Sequence, residues 1–262
     1  MSAMILGADE SDRNNGKTLV LVHGFPLDAR MWEAQLAALA FLRRVIAVDL
    51  RGRRKSRQVP DETYGMDVYA DDLARTLDAL GIAEIDLGCL SMGGYVTLAF
   101  WRRHRARVRS LIFMCTRAGA DPDSARAGRL ATAAKVRTEG TRALLSAMLP
   151  KLLGPNTQAP VRALVESMFV ETPGETAARD SLAMRERPDS TPLLSEIDVP
   201  TLVVHGEADA LIPVATGREM AAAIAGARFV SIANAGHLAP LEQPGAVNAA
   251  LREFLSGSAT AP

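Results

Sequence analysis

The stretch Asp86-Leu87-Gly88-Cys89-Leu90-Ser91-Met92-Gly93-Gly94-Tyr95 decides how the chain is read. Ile82 to Leu90 reads as a buried strand, and Tyr95 to Trp101 (YVTLAFW) as the apolar face of the helix that follows. Between them a serine stands against two glycines. A serine so placed occupies a strained strand-to-helix turn, and small flanking residues keep it clear of the strand and the helix. The helix turns its free N–H groups and positive dipole end toward the same point. That geometry suits an alkoxide nucleophile and an oxyanion together. The usual pattern is G-x-S-x-G; here Cys89 holds the first position, with Gly88 one residue early.

Composition sets the bounds. At 262 residues the chain fits one domain, or one domain with a large insertion, and can bury a sizeable core. Apolar residues make up 48%, which argues against disorder. Thirty basic and thirty acidic side chains cancel, so neither nucleic acid nor an anionic membrane is expected as the main partner. The two cysteines, Cys89 and Cys115, are too few for a disulfide framework and suggest a reducing compartment. The first residues lack the apolar core of a signal peptide, and no apolar run reaches membrane-spanning length. The expectation is a cytoplasmic protein.

Outward from the serine, strands alternate with helices. Met4 to Leu6 is a candidate edge strand before the polar stretch Asp9 to Asn15. Thr18-Leu19-Val20-Leu21-Val22 is a continuous aliphatic and β-branched run, as a strand buried on both faces should be. It ends in the turn His23-Gly24-Phe25-Pro26. A helix over Met31–Leu42, a strand over Val45–Leu50 and the cation-crowded loop Arg51-Gly52-Arg53-Arg54-Lys55-Ser56-Arg57 come next. A helix over Met66–Leu80 stops at Gly81, and a strand over Val108–Met114 follows the serine helix. From about Arg117 to Ile197 only helical spacing appears, in Arg129–Val136, Ala143–Leu153, Val161–Val170 and Thr176–Met184. Strand logic resumes at Thr201–Val204. A helix at Ala215–Ile224, a strand at Arg228–Ile232 and a helix at Gly245–Phe254 close the chain, and Ser256–Pro262 reads as a frayed tail.

Such alternation implies a doubly wound, mostly parallel sheet with its site at the carboxyl ends of the strands. Just past those ends stand His23-Gly24-Phe25, Ser91-Met92, Asp209 and Gly236-His237. A parallel sheet brings all four onto one edge, in the order Ser…Asp…His of one triad topology. A serine hydroxyl is nearly inert at neutral pH and needs a base within reach. A histidine titrating near neutrality can take that proton and return it, and a carboxylate on its far nitrogen fixes the tautomer.

At this point the chain resembles the α/β-hydrolase superfamily, in its carboxylesterase and lactonase group. HGFP at His23, DLRG at Asp49, LSMGG at Leu90, GEADALIP at Gly206 and AGHLAPLEQP at Ala235 match that family in order and spacing. The resemblance covers nearly the whole chain. It implies an α/β-hydrolase core over 1–117 and 197–262, with a helical cap over 118–196 inserted before the seventh strand. It implies Ser91 as nucleophile, His237 as base and Asp209 as acid, with the backbone N–H groups of Phe25 and Met92 as the oxyanion hole. The chemistry implied is hydrolysis of a small-molecule carboxylic ester, short-chain or aryl, or of a lactone, through an acyl-enzyme, acyl-homoserine lactones and enol-lactones included, with no cofactor. Two departures stand out: Cys89 at the first elbow position, and RGRRKS at Arg51 in place of the family's more glycine-rich DLRGxGxS loop.

Bland readings compete for most single residues. His23 reads as a structural group, His205 as a core group or a support behind the triad, and His104, among Arg102, Arg103, Arg105 and Arg107 at a helix end, as part of a solvated face. Glu207 and Asp121 are rival acids. Trp32, Tyr95, Met148 and Met168 are candidate substrate contacts that packing explains as readily, and Cys115 reads as a small buried hydrophobe. There is no HExxH or HxH pattern, and zinc would need more cysteines, so no metal site is expected. An aspartate nucleophile would indicate a dehalogenase or epoxide hydrolase, and the family's carbon–carbon hydrolases usually carry Asn where Leu90 stands. The alternatives kept are a cofactor-free, haloperoxidase-like perhydrolase and a non-catalytic small-ligand receptor on the same fold. Oligomeric state is not legible.

Overall fold

The structure, a computed structural model, describes residues 4–11, 16–59 and 63–257. Seven strands form one sheet: β1 (Ala8–Glu10), β2 (Thr18–Val22), β3 (Arg44–Val48), β4 (Ile85–Leu90), β5 (Val108–Met114), β6 (Thr201–Gly206) and β7 (Arg228–Ile232). Their order is β1-β3-β2-β4-β5-β6-β7. β1 pairs antiparallel with β3, and every other pairing is parallel. This is the mostly parallel, doubly wound sheet that the strand–helix alternation implied. β2 and β4 lie inside it and are buried along their whole length, which is why β2 reads as an unbroken apolar run; the one charge in β4, Asp86, is taken by Arg43, Arg109 and Ser110.

Helices α1 (Glu33–Leu39), α2 (Met66–Ala79) and α3 (Met92–His104) connect the first strands, and α8 (Val214–Ala222), α9 (Ala239–Glu242) and α10 (Pro244–Gly257) the last. Between β5 and β6 come four consecutive helices with no strand: α4 (Asp123–Glu139), α5 (Leu145–Leu152), α6 (Ala159–Glu171) and α7 (Gly174–Glu186). The insertion thus precedes the sixth described strand rather than a seventh, because only the three-residue β1 precedes β2 in the described chain.

The edge strand is also displaced from its expected place at Met4–Leu6. There the backbone is diverted to side chains: Met4 N–H donates to Asp72 Oδ1, Leu6 N–H to Thr76 Oγ1 and Gly7 N–H to Ser56 Oγ, each at 2.8 Å. Ala8–Glu10, less apolar, pairs with β3 instead. Part of the polar stretch before β2 (12–15) and most of the tail (258–262) lie outside the described residues; Ser256 and Gly257 continue α10.

The insertion is fastened to loops at the carboxyl edge of the sheet. The Thr172 hydroxyl donates to the Pro26 carbonyl at 2.8 Å, and the Thr176 hydroxyl to the Gly52 carbonyl at 3.1 Å. On α7 the buried carboxylate of Asp180 takes Nη2 of Arg53 and the hydroxyl of Tyr69. The cation-crowded loop is therefore internal at Arg51 and Arg53, while Lys55 and Arg57 stay exposed. Arg51 and Arg53 are fully buried, and Arg51 grips both oxygens of Asp72 at 2.7 Å. Buried guanidinium groups persist only when paired in this way.

Candidate active site

β4 ends at Leu90, and α3 begins at Met92. The chain reverses within Ser91, whose φ is +54° and ψ −114°. A non-glycine residue in that region stores strain, which the surroundings must hold in place. They do so with backbone bonds: Ser91 N–H donates to the Met114 carbonyl at 3.0 Å, and the Ser91 carbonyl accepts from Thr116 Oγ1 at 2.7 Å and Gly94 N–H at 2.8 Å. Close approach supplies the rest. A Cβ on Gly93 would lie 2.5 Å from the Val22 carbonyl oxygen, and one on Gly94 would strike the Thr116 side chain. Cys89 does not take a positive φ; the left-handed residue is the serine itself. Glycine's freedom is not needed at Cys89, whose buried thiol reaches the Ile112 carbonyl at 3.4 Å. Burial pushes that thiol up to about 12.

The turn after β2 abuts the serine. A Cβ on Gly24 would meet Leu90 Cδ2 at 2.8 Å and Ser91 Cβ at 3.2 Å, so the backbone at Phe25 approaches the head of α3. Met92 lies in the first turn of α3, where N–H groups have no partner within the helix. His23 holds this turn from inside: Nδ1 donates to the Gly24 carbonyl at 2.9 Å, and Nε2 accepts from Leu50 N–H at 3.1 Å. Burial, reinforced by the nearby Arg53 charge, lowers its pKa to about 3. It is a neutral structural group.

Asp209 and His237 come together. His237 Nδ1 lies 2.7 Å from Asp209 Oδ2, both side chains buried, and His237 Nε2 is buried with no hydrogen-bond partner among the described residues. Asp209 Oδ1 accepts from Leu211 and Ile212 N–H at 2.9 and 2.8 Å. Burial raises the carboxyl's pKa, but the hydrogen bonds from His205 and His237 outweigh it and hold the group well below the usual carboxylate range. The rival acids are otherwise engaged. Asp121 is gripped by Arg117, Arg129 and Arg187, and Glu207 is an exposed acceptor for the Ser231 hydroxyl.

The other candidates sit in packing. Trp32, Tyr95 and Met168 are buried in the apolar core, with the Tyr95 ring 4.0 Å beneath the Arg187 guanidinium. Met148, on α5, is partly buried against that core. His104 lies part-exposed among the exposed Arg102, Arg103 and Arg105, and pairs there with Asp71 of α2 at 2.9 Å. Two groups support the pair: His205, which the sequence placed in the core or behind the triad, and Glu242, which had no role in the sequence reading. His205 Nε2 lies 3.2 Å from Asp209 Oδ2 and 2.8 Å from the Ile212 carbonyl. Glu242 binds the turn that carries His237. Its only signal was its place inside the AGHLAPLEQP stretch.

Cys115, His205 and Asp209 offer donor atoms within 4.8 Å of one another. Their chemistry is that of a hydrogen-bond network rather than a metal cage. His205 Nε2 donates to oxygen, and burial together with the Asp209 charge pushes the Cys115 thiol far up, so it keeps its proton.

With this geometry in view, the comparisons are consistent. A family model described as alpha/beta hydrolase fold matches residues 17–244, and the chain belongs to that family. It is similar to a thermophilic esterase from Thermogutta terrifontis, with 42% identity, a TM-score of 0.92 and coverage of 97% of this chain and 93% of that one. It is also similar to the enol-lactonase from Burkholderia xenovorans LB400, with 32% identity, a TM-score of 0.86 and 96% of each chain covered. A non-heme chloroperoxidase, CPO-A1, from Kitasatospora aureofaciens is 30% identical, with 86% of each chain covered. No helix among the described residues is long and apolar enough to cross a membrane.

Proposed function

We infer that the protein is a serine hydrolase of carboxylic esters, with Ser91 as nucleophile, His237 as general base and Asp209 as the acid that orients it. The observation that carries this is the buried Asp209–His237 pair, whose remaining nitrogen, Nε2, is unpartnered, on the same sheet edge as the strained Ser91. Ser91 Oγ attacks the carbonyl carbon, and its proton passes to His237 Nε2. The alcohol leaves with that proton, giving an acyl-enzyme. Water then attacks, protonating Nε2, and the proton returns to Ser91 as the acid departs. Asp209 keeps the imidazole in the Nδ1–H tautomer and stabilises the imidazolium. The oxyanion is taken by Phe25 and Met92 N–H groups, each worth about 3 kcal/mol of barrier. His237 Nε2 is left unpartnered here, and its hydrogen bond to Ser91 Oγ would form with substrate in place, where catalytic hydrogen bonds tighten.

The esterase and enol-lactonase similarities support esters and lactones as the substrate class. The insertion, read as a cap over 118–196, would form the roof of the acyl pocket, with Met148 and Met168 as candidate lining. Two buried free cysteines suit a cytoplasmic setting. The test is hydrolysis of p-nitrophenyl esters from C2 to C12 by the wild type and Ser91→Ala. Turnover lost in the variant supports the reading; turnover that survives overturns it.

The chloroperoxidase similarity favours a second reading on the same residues. Hydrogen peroxide in place of water would release a peracid from the acyl-enzyme. Bromide oxidation with acetate and peroxide, abolished in Ser91→Ala, would identify it.

A further inference from the structure

The three consecutive backbone N–H groups of the turn 236–238 are all held from outside the turn's own backbone. Gly236 N–H donates to Glu242 Oε1 at 3.0 Å, and Leu238 N–H to the same oxygen at 3.2 Å. His237 N–H donates to the Leu152 carbonyl at 2.9 Å, and Leu238 N–H is shared with that carbonyl at 3.3 Å. The second oxygen of Glu242 faces the insertion. Oε2 accepts from Gly154 N–H at 2.6 Å and from the Thr157 hydroxyl at 2.6 Å. One carboxylate therefore ties the turn bearing the base to the segment that joins α5 to α6.

Two glycines let the chains come this close. A Cβ on Gly236 would lie 2.5 Å from Gly154 N, and a Cβ on Gly154 would lie 2.9 Å from both Gly236 N and Glu242 Oε2. No side chain fits between the two backbones, so displacement of 152–157 must be felt at 236–238. The arrangement suits a carboxylate and no other side chain. Each oxygen faces two donors and offers only lone pairs.

We propose that Glu242 is a positioning residue for His237, holding the base in place and coupling it to the insertion's 152–157 segment. This rests on the triad reading above. Glutamine is nearly isosteric, yet its amide group must turn toward two donors whichever way it is flipped, so one arm is lost. The Thr157 hydroxyl also lies 2.9 Å from the Gly154 carbonyl, so Thr157→Val removes two contacts, both on the insertion's side, and leaves the turn's own bonds intact.

The experiment compares wild type, Ser91→Ala, Glu242→Gln and Thr157→Val by two readouts. The first is the rate and pH profile of Ser91 labelling by a fluorophosphonate, located by mass spectrometry. The second is the far-downfield NMR proton of the His237–Asp209 hydrogen bond, which needs no turnover. Glu242→Gln is expected to label at least tenfold more slowly, with a displaced pH profile and a shifted or faster-exchanging proton. Thr157→Val should move both in the same direction by a smaller factor. If Glu242→Gln does not fold, Thr157→Val carries the test alone. A folded variant with wild-type labelling, pH profile and downfield proton overturns the proposal. Absence of Ser91 labelling in the wild type instead overturns the triad reading, and the NMR proton then still decides whether Glu242 governs His237.

Discussion

His205 and Asp209 are joined across one turn, with His205 Nε2 lying 3.2 Å from the carboxylate oxygen that also receives His237 Nδ1. The His205 ring is pinned by a glycine on its other side, since a Cβ on Gly217 would sit 2.5 Å from Nδ1. Asp209 is thus fixed by two backbone amides and two imidazoles, which leaves its orientation little freedom. Replacing His205 by Phe keeps a ring of similar size and removes both nitrogens. A hydrogen bond to a charged group is worth about 1.5–3 kcal/mol. Ester turnover by His205→Phe should fall roughly ten- to a hundredfold, and stability should also drop, since the Ile212 carbonyl loses its donor. Kinetics alongside urea denaturation check this, and wild-type turnover in a folded variant would refute it.

Gly93 controls where Ser91 stands. Its Cα faces the Val22 carbonyl with no room for a methyl group, so Gly93→Ala must push the head of α3 away from β2. Displacement of a reacting group by about 1 Å costs roughly a hundredfold in rate. We expect Gly93→Ala to lose about that factor in kcat while remaining folded by circular dichroism. A rate within twofold of wild type would show that the elbow tolerates the shift.

Cys89 makes a contrasting case. Its backbone needs no positive φ and its thiol is buried and protonated, so the cysteine adds packing and no chemistry. Cys89→Ala should keep wild-type turnover at a stability cost of about 1 kcal/mol or somewhat more. Iodoacetamide should leave the native enzyme active. Inactivation by the reagent, prevented in Cys89→Ala, would contradict this.

The buried His23 makes stability depend on pH. Its pKa is about 3 in the folded chain against the usual 6.5 for the free residue. Between those values the unfolded chain binds a proton that the folded chain refuses. Stability is therefore fully present above about pH 6.5 and declines as pH falls toward 3, by an upper bound of about 5 kcal/mol. His23→Gln should be less stable than wild type at pH 7.5 but show a flatter decline between pH 6.5 and 4 in urea midpoints. An equally steep decline in the variant would assign the pH dependence to other groups.

The fold was legible wherever burial on both faces produced continuous apolar runs. Strand 18–22 is the case in point; 108–114 and the edge strand 228–232 were also bounded in the sequence as they are in the structure, although each carries an arginine and a serine and 228–232 is mostly half-buried. β1 escaped because Ala8-Asp9-Glu10 carries no apolar pattern; backbone pairing to an edge, rather than side-chain burial, makes it a strand. The Asp209–His237 pairing was legible because chain order and sheet topology suffice to bring those residues together. What supports it was not. Glu242 and Gly154 are 88 positions apart, and Arg53 and Asp180 are 127 apart, so no local spacing signals either pair. The arginines of the 51–57 loop read only as a crowd of charges, since their buried partners lie on other elements.

The buried contact of Arg53 with Asp180 bears on how this enzyme could be redesigned. An insertion transplanted from a relative would have to bring its own carboxylate to the Asp180 position, or the core would present an uncompensated cation to the transplanted helices, a defect costing several kcal/mol. Transplanting the RGRRKS loop and helices α4–α7 as one unit avoids that penalty. In exchange experiments the natural cassette is therefore discontinuous, with one piece before Ser91 and one after it.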